Sequence, residues 1–307
     1  MSVIEVSNLH KRYGDTVAVD DVSFTVERGE IFGILGRNGA GKTTTVECIE
    51  GLRAPDSGTV RVLGLDPQTD RAEVTRTLGA QLQESALQEK LKVSEAIDLY
   101  ASFYDNPADG DELLELLGLT EKRDTRYRKL SGGQKQRLSI ALALIGNPQI
   151  AVLDELTTGL DPQARRDTWE LIERVRDRGV TIVLVTHFMD EAQRLCDRLA
   201  LIDAGRIVAL DTPDGLIKQV DGEQRIRFRP SADFPDDVVT HLPGVTGVAR
   251  DGGQLTVTGR GDIVASVVMA LAQRDVVPSD LKVEQANLED AFVALTGRAF
   301  DAEPADQ

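Results

Sequence analysis

Short apolar runs alternate along the first two thirds of the chain with segments of helical periodicity. The runs that predict buried strands cover residues 3–6, 22–26, 31–35, 150–153 and 180–185. One helix is predicted to begin at Lys42, and an amphipathic helix is predicted over 162–178. Strands that alternate with helices predict an α/β fold with a largely parallel, helix-covered sheet.

A helical segment interrupts this alternation. Apolar residues recur at helical spacing over about 91–103, 111–117 and 131–145, and Gly146 and Pro148 end the last of these helices. We therefore expect a helical subdomain, about residues 84–146, inserted between strands of the core.

The last third of the chain predicts a second, smaller domain. A hairpin over 199–210 is expected to close the core, and Asp221-Gly222 marks a boundary. Short strands and two helices then follow in an order that resembles a small split β-α-β sandwich. The expected organisation is a core domain at 1–220, a small α+β domain at 221–298, and a loose tail at 299–307.

Charge and composition exclude several classes of protein. The net charge of −16 disfavours binding to nucleic acid. Cys48 and Cys196 are too few for a disulfide scaffold and are expected to be small buried residues. No apolar run approaches the roughly 18 residues of a membrane span. The first residues lack the apolar segment of a signal peptide. If the protein acts at a membrane, another chain must supply the membrane-spanning part.

A phosphate-binding loop is the first candidate site. Residues 36–43 fit G-x-x-x-x-G-K-[ST], between a predicted strand and a predicted helix. Such a loop turns its backbone N–H groups toward phosphate oxygens. Lys42 would reach the β- and γ-phosphates, and the hydroxyl group of Thr43 would ligate Mg²⁺. The loop alone predicts a nucleoside triphosphate and does not say which one.

Acidic and histidine side chains follow two of the predicted strands. Asp154 and Glu155 end the strand at 150–153, where one carboxylate can hold Mg²⁺ and its neighbour can polarise an attacking water. His187 ends the strand at 180–185, at the sheet edge where ligands collect in open α/β folds. We predict a contact between His187 and the γ-phosphate.

A second helix start also has the chemistry to bind an anion. Ser131 is a natural N-cap, and Gly132 and Gly133 leave the backbone N–H groups accessible. A Ser-Gly-Gly turn before a helix is common, so this segment by itself does not identify a site.

Together these motifs resemble those of the ABC transporter ATPases. The segment 36–44 is similar to the family's Walker A motif, 130–137 to its signature motif, 150–155 to its Walker B motif, and His187 to its switch histidine. The order matches the family over about residues 1–220. Leu156, Thr158 and Arg37 depart from the residues that are usual in the family, and none of these changes removes a reacting group.

The resemblance implies the remaining site residues. Tyr13 would stack on adenine and select ATP, Gln83 (with Gln81 as a rival) would contact Mg²⁺, and Asp161 would lie in the D-loop at a dimer interface. The implied nucleotide-binding residues are Tyr13, Gly36, Arg37, Asn38, Gly39, Ala40, Gly41, Lys42, Thr43, Thr44 and Gln83. Those that would act from the second subunit are Ser131, Gly132, Gly133, Gln134 and Asp161. The implied catalytic residues are Lys42, Glu155 and His187, and the implied Mg²⁺ ligands are Thr43, Gln83 and Asp154.

The segment 287–298 resembles the tail of daunorubicin-resistance-type exporter ATPases. This resemblance implies export of a hydrophobic, drug-like substrate through an ABC-2-type permease, by a peripheral homodimer on the cytoplasmic face of the cell membrane. The alternatives are the ATPase subunit of an importer, a soluble ABC ATPase acting on ribosomes or DNA, and a non-catalytic regulatory subunit. The single ATPase unit and the negative charge argue against the second, and the intact Asp154, Glu155 and His187 argue against the third.

Overall fold

The computed structural model describes residues 1–81, 87–219, 224–284 and 286–297. The chain divides into two compact units, Met1–Pro213 and Asp214–Gln307. The boundary proposed from Asp221-Gly222 lies outside the described residues, a few positions after this division. Among the described helices, none is long and apolar enough to cross a membrane.

A six-stranded sheet forms the centre of the larger unit. Its order is β5-β6-β7-β3-β8-β9, and only the last pair is antiparallel. Every residue of β3, β6 and β7 is buried, in agreement with their mostly apolar sequences. The strands are β3 (Ile31–Leu35), β5 (Leu78–Gln81), β6 (Ile150–Asp154), β7 (Thr181–Thr186), β8 (Arg198–Asp203) and β9 (Arg206–Asp211).

A three-stranded antiparallel sheet, ordered β2-β1-β4, completes the strands of this unit. Its members are β1 (Ser2–Tyr13), β2 (Thr16–Glu27) and β4 (Ser57–Val62). The sequence predicted only short segments of β1 and β2, because bulges break their alternation. Asn8 and Asp21 adopt positive φ angles of 48° and 61° there. Both β4 and β5 were missed, since each is short and carries glycine in its sequence.

Helices cover the sheets and form the insertion. Three of them, α3, α4 and α5, lie in the segment that was expected to be helical, and short 3-10 turns at Thr120–Lys122 and Tyr127–Lys129 connect α4 to α5. Two of these helices, α2 and α7, were not predicted from the sequence. The helices of this unit are α1 (Lys42–Ile49), α2 (Arg71–Thr77), α3 (Val93–Ala101), α4 (Gly110–Leu116), α5 (Gly132–Leu144), α6 (Pro162–Asp177) and α7 (Met189–Leu195).

The smaller unit contains a four-stranded sheet, ordered β11-β12-β10-β13, in which all neighbours are antiparallel. Apolar residues of β10 and β12 pack in one core with α10. The elements are α8 (Pro213–Gln219), β10 (Gln224–Pro230), α9 (Asp237–Thr240), β11 (Val245–Asp251), β12 (Gln254–Gly259), α10 (Ile263–Ala272), β13 (Pro278–Glu284) and α11 (Leu288–Thr296). The sequence predicted short strands and two helices for this part of the chain, and it did not predict α8.

Candidate functional site

The phosphate loop joins the end of β3 to the start of α1. Gly36 must be glycine because a Cβ atom there would lie 2.3 Å from the carbonyl oxygen of Ile202. The N-cap residue Gly41 has a φ of 102°, and a Cβ atom there would lie 2.3 Å from the carbonyl oxygen of Ala18. No side chain caps α1. The backbone N–H groups of its first turn are therefore left for another acceptor.

The other loop residues differ in exposure. Asn38 and Gly39 are exposed, Arg37 is half-buried, and Ala40 is buried. In the first turn of α1, Thr43 is exposed and Thr44 is half-buried. The hydroxyl group of Thr43 is thus in a position to reach a ligand seated on the loop.

Lys42 points back into the loop that precedes it. Its ammonium group donates hydrogen bonds to the carbonyl oxygens of Gly36, at 2.9 Å, and of Arg37, at 3.1 Å. Burial lowers the pKa of Lys42, and the nearby carboxylates of Glu155 and Asp154 offset part of that effect. To bind phosphate, Lys42 would exchange carbonyl oxygens for phosphate oxygens, which carry more negative charge.

Parallel strands bring the acidic residues to the same edge of the sheet. Asp154 pairs with Val185 in β7, and Thr186 of β7 pairs with Leu35 at the start of the loop. The segments that follow β3, β6 and β7 therefore leave the sheet side by side. This arrangement is what the sequence predicted for residues at strand ends.

Asp154 is buried, and its Oδ1 atom has no hydrogen-bond partner. Burial, together with the neighbouring Glu155 carboxylate, raises the pKa of Asp154 to about 6, while Lys42 and His187 lower it. A buried carboxylate oxygen without a partner costs free energy unless a proton or a cation satisfies it. The unpaired Oδ1 atom is therefore the feature that fits a Mg²⁺ ion.

Glu155 turns away from the strand direction at the end of β6. Its φ angle is 48°, which is uncommon for a residue other than glycine, and its N–H group donates to the carbonyl oxygen of Val185 at 2.9 Å. This turn lets two adjacent carboxylates approach the same side of the sheet edge. Residues in such sparsely populated conformations cluster at functional sites.

His187 lies against Glu155. The distance between Nδ1 of His187 and Oε1 of Glu155 is 3.1 Å, and both side chains are about three-quarters buried or more. The ring of Phe188 packs on the imidazole, with 4.1 Å between centroids. Lys42, Asp154, Glu155 and His187 thus form one cluster.

Tyr13 lies at the end of β1 and is 41% exposed. The Nζ atom of Lys11 is 5.7 Å from the ring centroid, and the guanidinium carbon of Arg53 is 5.9 Å from it. An exposed ring beside two cations is a surface on which a planar base of an anionic nucleotide would stack.

The signature segment caps its own helix. The hydroxyl group of Ser131 accepts from the N–H group of Gln134 at 3.3 Å, and Oε1 of Gln134 accepts from the N–H group of Ser131 at 3.0 Å. Ser131 and Gly132 are exposed, and Gly133 and Gln134 are half-buried. The exposed end is available to a second molecule, although two of its backbone donors are already paired with side chains.

Asp161 caps the next helix in the same way. Its Oδ1 atom accepts from the N–H groups of Gln163 and Ala164, both at 3.0 Å. A Cβ atom at Gly133 would lie 3.4 Å from that of Ala164. The start of α6 therefore packs beside the signature glycines of the same chain.

The remaining predicted ligand, Gln83, lies outside the described residues. Its rival Gln81 is the last residue of β5, where it is buried and its Oε1 atom has no hydrogen-bond partner. Both cysteines are free and buried, as the sequence predicted.

Sequence reasoning missed Glu191, which is fully buried in α7. Its Oε1 atom accepts from the hydroxyl group of Thr157, at 2.9 Å, and from the indole N–H group of Trp169, at 3.0 Å. Burial raises the pKa of Glu191, and hydrogen bonds from Thr186, Thr157 and Trp169 offset that effect. The residue connects the segment after Glu155 with the helix after His187. The acidic residue four positions after His187 was the available signal.

A family model and several curated proteins are similar to this chain. Residues 19–158 match the family model for the ABC transporter. Nod factor export ATP-binding protein I of Paraburkholderia xenovorans (strain LB400) is 40% identical over 97% of this chain and 98% of its own. Daunorubicin resistance ATP-binding protein DrrA3 of Streptomyces coeruleorubidus is 34% identical over 96% of each chain.

Solved structures also resemble the larger unit. The structure of an ATP-binding subunit of an ABC transporter aligns with a TM-score of 0.64 and 30% identity, over 71% of this chain and 93% of the other. A dimeric ATP-binding cassette in a post-hydrolysis state with ADP and Pi aligns with a TM-score of 0.61 and 27% identity, over 68% of this chain and 98% of the other.

Proposed function

This chain belongs to the ABC transporter ATP-binding proteins, and from that premise we propose that it hydrolyses ATP with Mg²⁺ to drive export through a separate membrane-spanning protein. The observation that best supports the chemistry is the cluster of Lys42, Asp154, Glu155 and His187 at one sheet edge. Carboxylate, ammonium and imidazole groups around a phosphate loop are the parts that phosphoryl transfer to water requires.

Asp154 and Thr43 are the side chains that would hold Mg²⁺. Mg²⁺ takes few protein ligands beside phosphate oxygens and waters, so one buried carboxylate oxygen and one exposed hydroxyl group are sufficient. The ion would neutralise charge on the β- and γ-phosphates. Asp154→Asn is expected to raise the Mg²⁺ concentration needed for half-maximal ATPase activity. Equal Mg²⁺ titrations of the two proteins would contradict this assignment.

Glu155 would orient the attacking water and accept its proton, and Lys42 would stabilise negative charge on the γ-phosphate. His187 would contact the same phosphate through its second ring nitrogen. A neutral imidazole has one N–H group, so it cannot donate to both Glu155 and a phosphate oxygen. The 3.1 Å contact between His187 and Glu155 therefore has to change before a neutral His187 can donate to a phosphate oxygen.

The signature segment would complete the site of a second copy. Ser131, Gly132, Gly133 and Gln134 sit at an exposed helix start that could bind the γ-phosphate held by the other subunit, with Asp161 beside that interface. ATP would join two subunits, and hydrolysis would let them separate. The solved dimer with ADP and Pi supports this arrangement by similarity.

We propose an ABC-2-type permease as the membrane partner and the cytoplasmic face of the cell membrane as the site of action. The support is the similarity to a daunorubicin resistance protein and to Nod factor export proteins over almost the whole chain. The two names point to different molecules, a Nod factor and daunorubicin. The cargo class that we propose is a hydrophobic, drug-like molecule.

The deciding experiment compares Glu155→Gln with the native chain. Loss of the carboxylate is expected to lower steady-state ATP turnover at least about a hundredfold, while ATP binding persists and the ATP-bound dimer becomes longer-lived. The matched control is Glu170→Gln on the exposed face of α6, which should keep its activity. Near-native turnover of Glu155→Gln would exclude Glu155 from the reaction.

A further inference from the structure

Arg165 is a partly buried cation to which the proposed reaction gives no role. It lies one turn into α6, where its N–H group donates to the carbonyl oxygen of the N-cap residue Asp161 at 3.0 Å. Its side chain is 26% exposed, and its Nε atom is buried without a hydrogen-bond partner among the described residues. A guanidinium group stays charged, so this buried part needs another favourable contact.

An aromatic ring supplies that contact. The guanidinium carbon of Arg165 lies 4.7 Å from the ring centroid of Phe188. A planar guanidinium group stacks on aromatic faces, and the attraction is stronger where water is excluded. An ion pair with Asp190, at 3.4 Å, adds little, because the carboxylate side chain is 59% exposed. The stack on Phe188 is therefore the main contact of the Arg165 cation.

The same aromatic ring packs against His187. The centroids of the two rings are 4.1 Å apart, and their planes are inclined by 40°. The Nδ1 atom of His187 lies 3.1 Å from Oε1 of Glu155. The imidazole thus has a carboxylate at one nitrogen and an aromatic ring at its side, and that aromatic ring contacts a cation from α6. A change at Arg165 would reach His187 through Phe188.

We propose that Arg165 is a positioning residue for His187 and acts through its stack on Phe188. The contact between His187 and Glu155 has to change before a neutral imidazole can donate to phosphate, and the stack limits the orientations open to the ring during that change. It also connects the imidazole to the helix that follows Asp161. The effect of Arg165 on turnover rests on the proposed function, whereas the surroundings of the imidazole can be measured without ATP.

The first measurement is nuclear magnetic resonance of the full chain, without nucleotide and in EDTA. The sequence has three histidines, so selective isotope labelling of histidine gives few ring signals, and His187→Ala identifies that of His187. Arg165→Ala is expected to shift this signal. Arg165→Lys, which keeps a cation over the aromatic ring, should shift it less. Asp190→Asn removes only the ion pair, and Arg166→Ala changes the exposed neighbour on α6, so both controls should leave it nearly in place.

A combined variant separates the stack from a direct effect of the charge. When Phe188→Leu is already present, Arg165→Ala should add little further shift to the His187 signal, because the path through the ring is gone. An equal further shift, or no shift in Arg165→Ala alone, would overturn the proposal. If thermal melting shows that Arg165→Ala does not fold, Arg165→Gln serves instead, since it keeps most of the side chain and loses the charge.

The second measurement is steady-state ATP turnover. Arg165→Ala is expected to lower kcat at least about fivefold and to change KM by less than about twofold, because His187 acts on the bound γ-phosphate. Arg165→Lys should recover most of the loss, and Arg166→Ala should match the native chain. An unchanged kcat in Arg165→Ala would overturn the proposal. A native chain without ATPase activity would instead contradict the proposed function, and the histidine signals would still decide whether Arg165 positions the ring.

Discussion

Two helix starts in the larger unit, those of α1 and α5, share a composition that suits anion binding. They differ in whether a side chain caps the helix. Neither has an acidic residue in its first turn, which is also true of α6, whereas α2, α3, α4 and α7 each have at least one. The start of α1 follows Gly41 and has no side-chain cap. The start of α5 is closed by a reciprocal capping box between Ser131 and Gln134.

The difference indicates two kinds of phosphate contact. The N–H groups at α1 are left without a side-chain acceptor, so the fold of one chain prepares them for phosphate. At α5, side chains of the same chain already accept hydrogen bonds from two of the backbone N–H groups. A phosphate approaching from another subunit must then compete with the Ser131–Gln134 hydrogen bonds, each worth about 1 kcal/mol. The first contact is built into the monomer, and the second would form only on dimerisation.

The largest expected effect comes from a variant at the start of α1. It tests whether the fold of a single chain is enough to hold these N–H groups in place for phosphate. Gly41→Ala would force a Cβ atom to 2.3 Å from the carbonyl oxygen of Ala18 at a φ of 102°. We expect a cost of roughly 3 kcal/mol or more and loss of ATP binding. Binding of a fluorescent ATP analogue measures this. Gly39→Ala, also at positive φ but with nothing within 4 Å, should bind measurably. Equal binding by both variants would contradict the steric account.

The next experiment tests whether the start of α5 contributes to the ATP site of another subunit. Ser131→Ala and Lys42→Ala should each keep their fold and lose ATP turnover. A mixed dimer would hold one intact site, from the loop of one variant and the signature of the other. Since half the dimers in an equimolar mixture are mixed, ATPase activity should return to about a quarter of the native value. If the mixture stays inactive at concentrations where dimers form, the two motifs do not combine across subunits.

A smaller effect is expected at Glu191, which hydrogen-bonds to Thr157 in the segment after Glu155 and to Trp169 in α6. Glu191→Ala would leave the buried donors of Thr157 and Trp169 unpaired, which should lower the free energy of unfolding by about 2 kcal/mol. Because Thr157 lies between Glu155 and Asp161, kcat should fall more than KM rises. Glu191→Gln keeps an acceptor oxygen and should restore most of both properties. A Gln variant as impaired as the Ala variant would show that the negative charge, not the acceptor, matters.

The smallest effect concerns the far end of α1. Burial, with Asp154 and Glu47 nearby, raises the pKa of Glu50 from its ordinary value of 4.5 to about 7. The stability that protonated Glu50 provides is complete below its ordinary pKa and is lost as the pH rises through about 7. At pH 8, Glu50→Gln should therefore have a higher free energy of unfolding than the native chain, by about 1 kcal/mol because Glu50 is only partly buried. The difference should vanish near pH 4. A difference independent of pH would exclude this titration.

Much of the catalytic region was predictable because its signals are local. The glycine spacing of residues 36–41, the apolar strands that end at Asp154 and before His187, and the N-cap at Ser131 can each be read within a few residues. The structure has these strands and helix starts where they were predicted. The roles of the individual site residues remain predictions, since they depend on a nucleotide and a second subunit.

Other features could not be read locally. The full length of β1 was missed because its bulges interrupt the alternation. Glu191 looked like an ordinary helical acid, and only the packing of α7 against β7 and α6 makes it a buried acceptor. The exposed side of β13 was also invisible, because a strand's place at a sheet edge depends on partners distant in sequence.

By itself, the sequence determined the identity and order of the chemical groups: a phosphate loop, two acids, a histidine and a second helix start. Those depend on contiguous residues and on glycine where no Cβ atom fits. The tertiary structure alone decided which groups share a site, because parallel pairing of β3, β6 and β7 brings Lys42, Asp154, Glu155 and His187 to one edge.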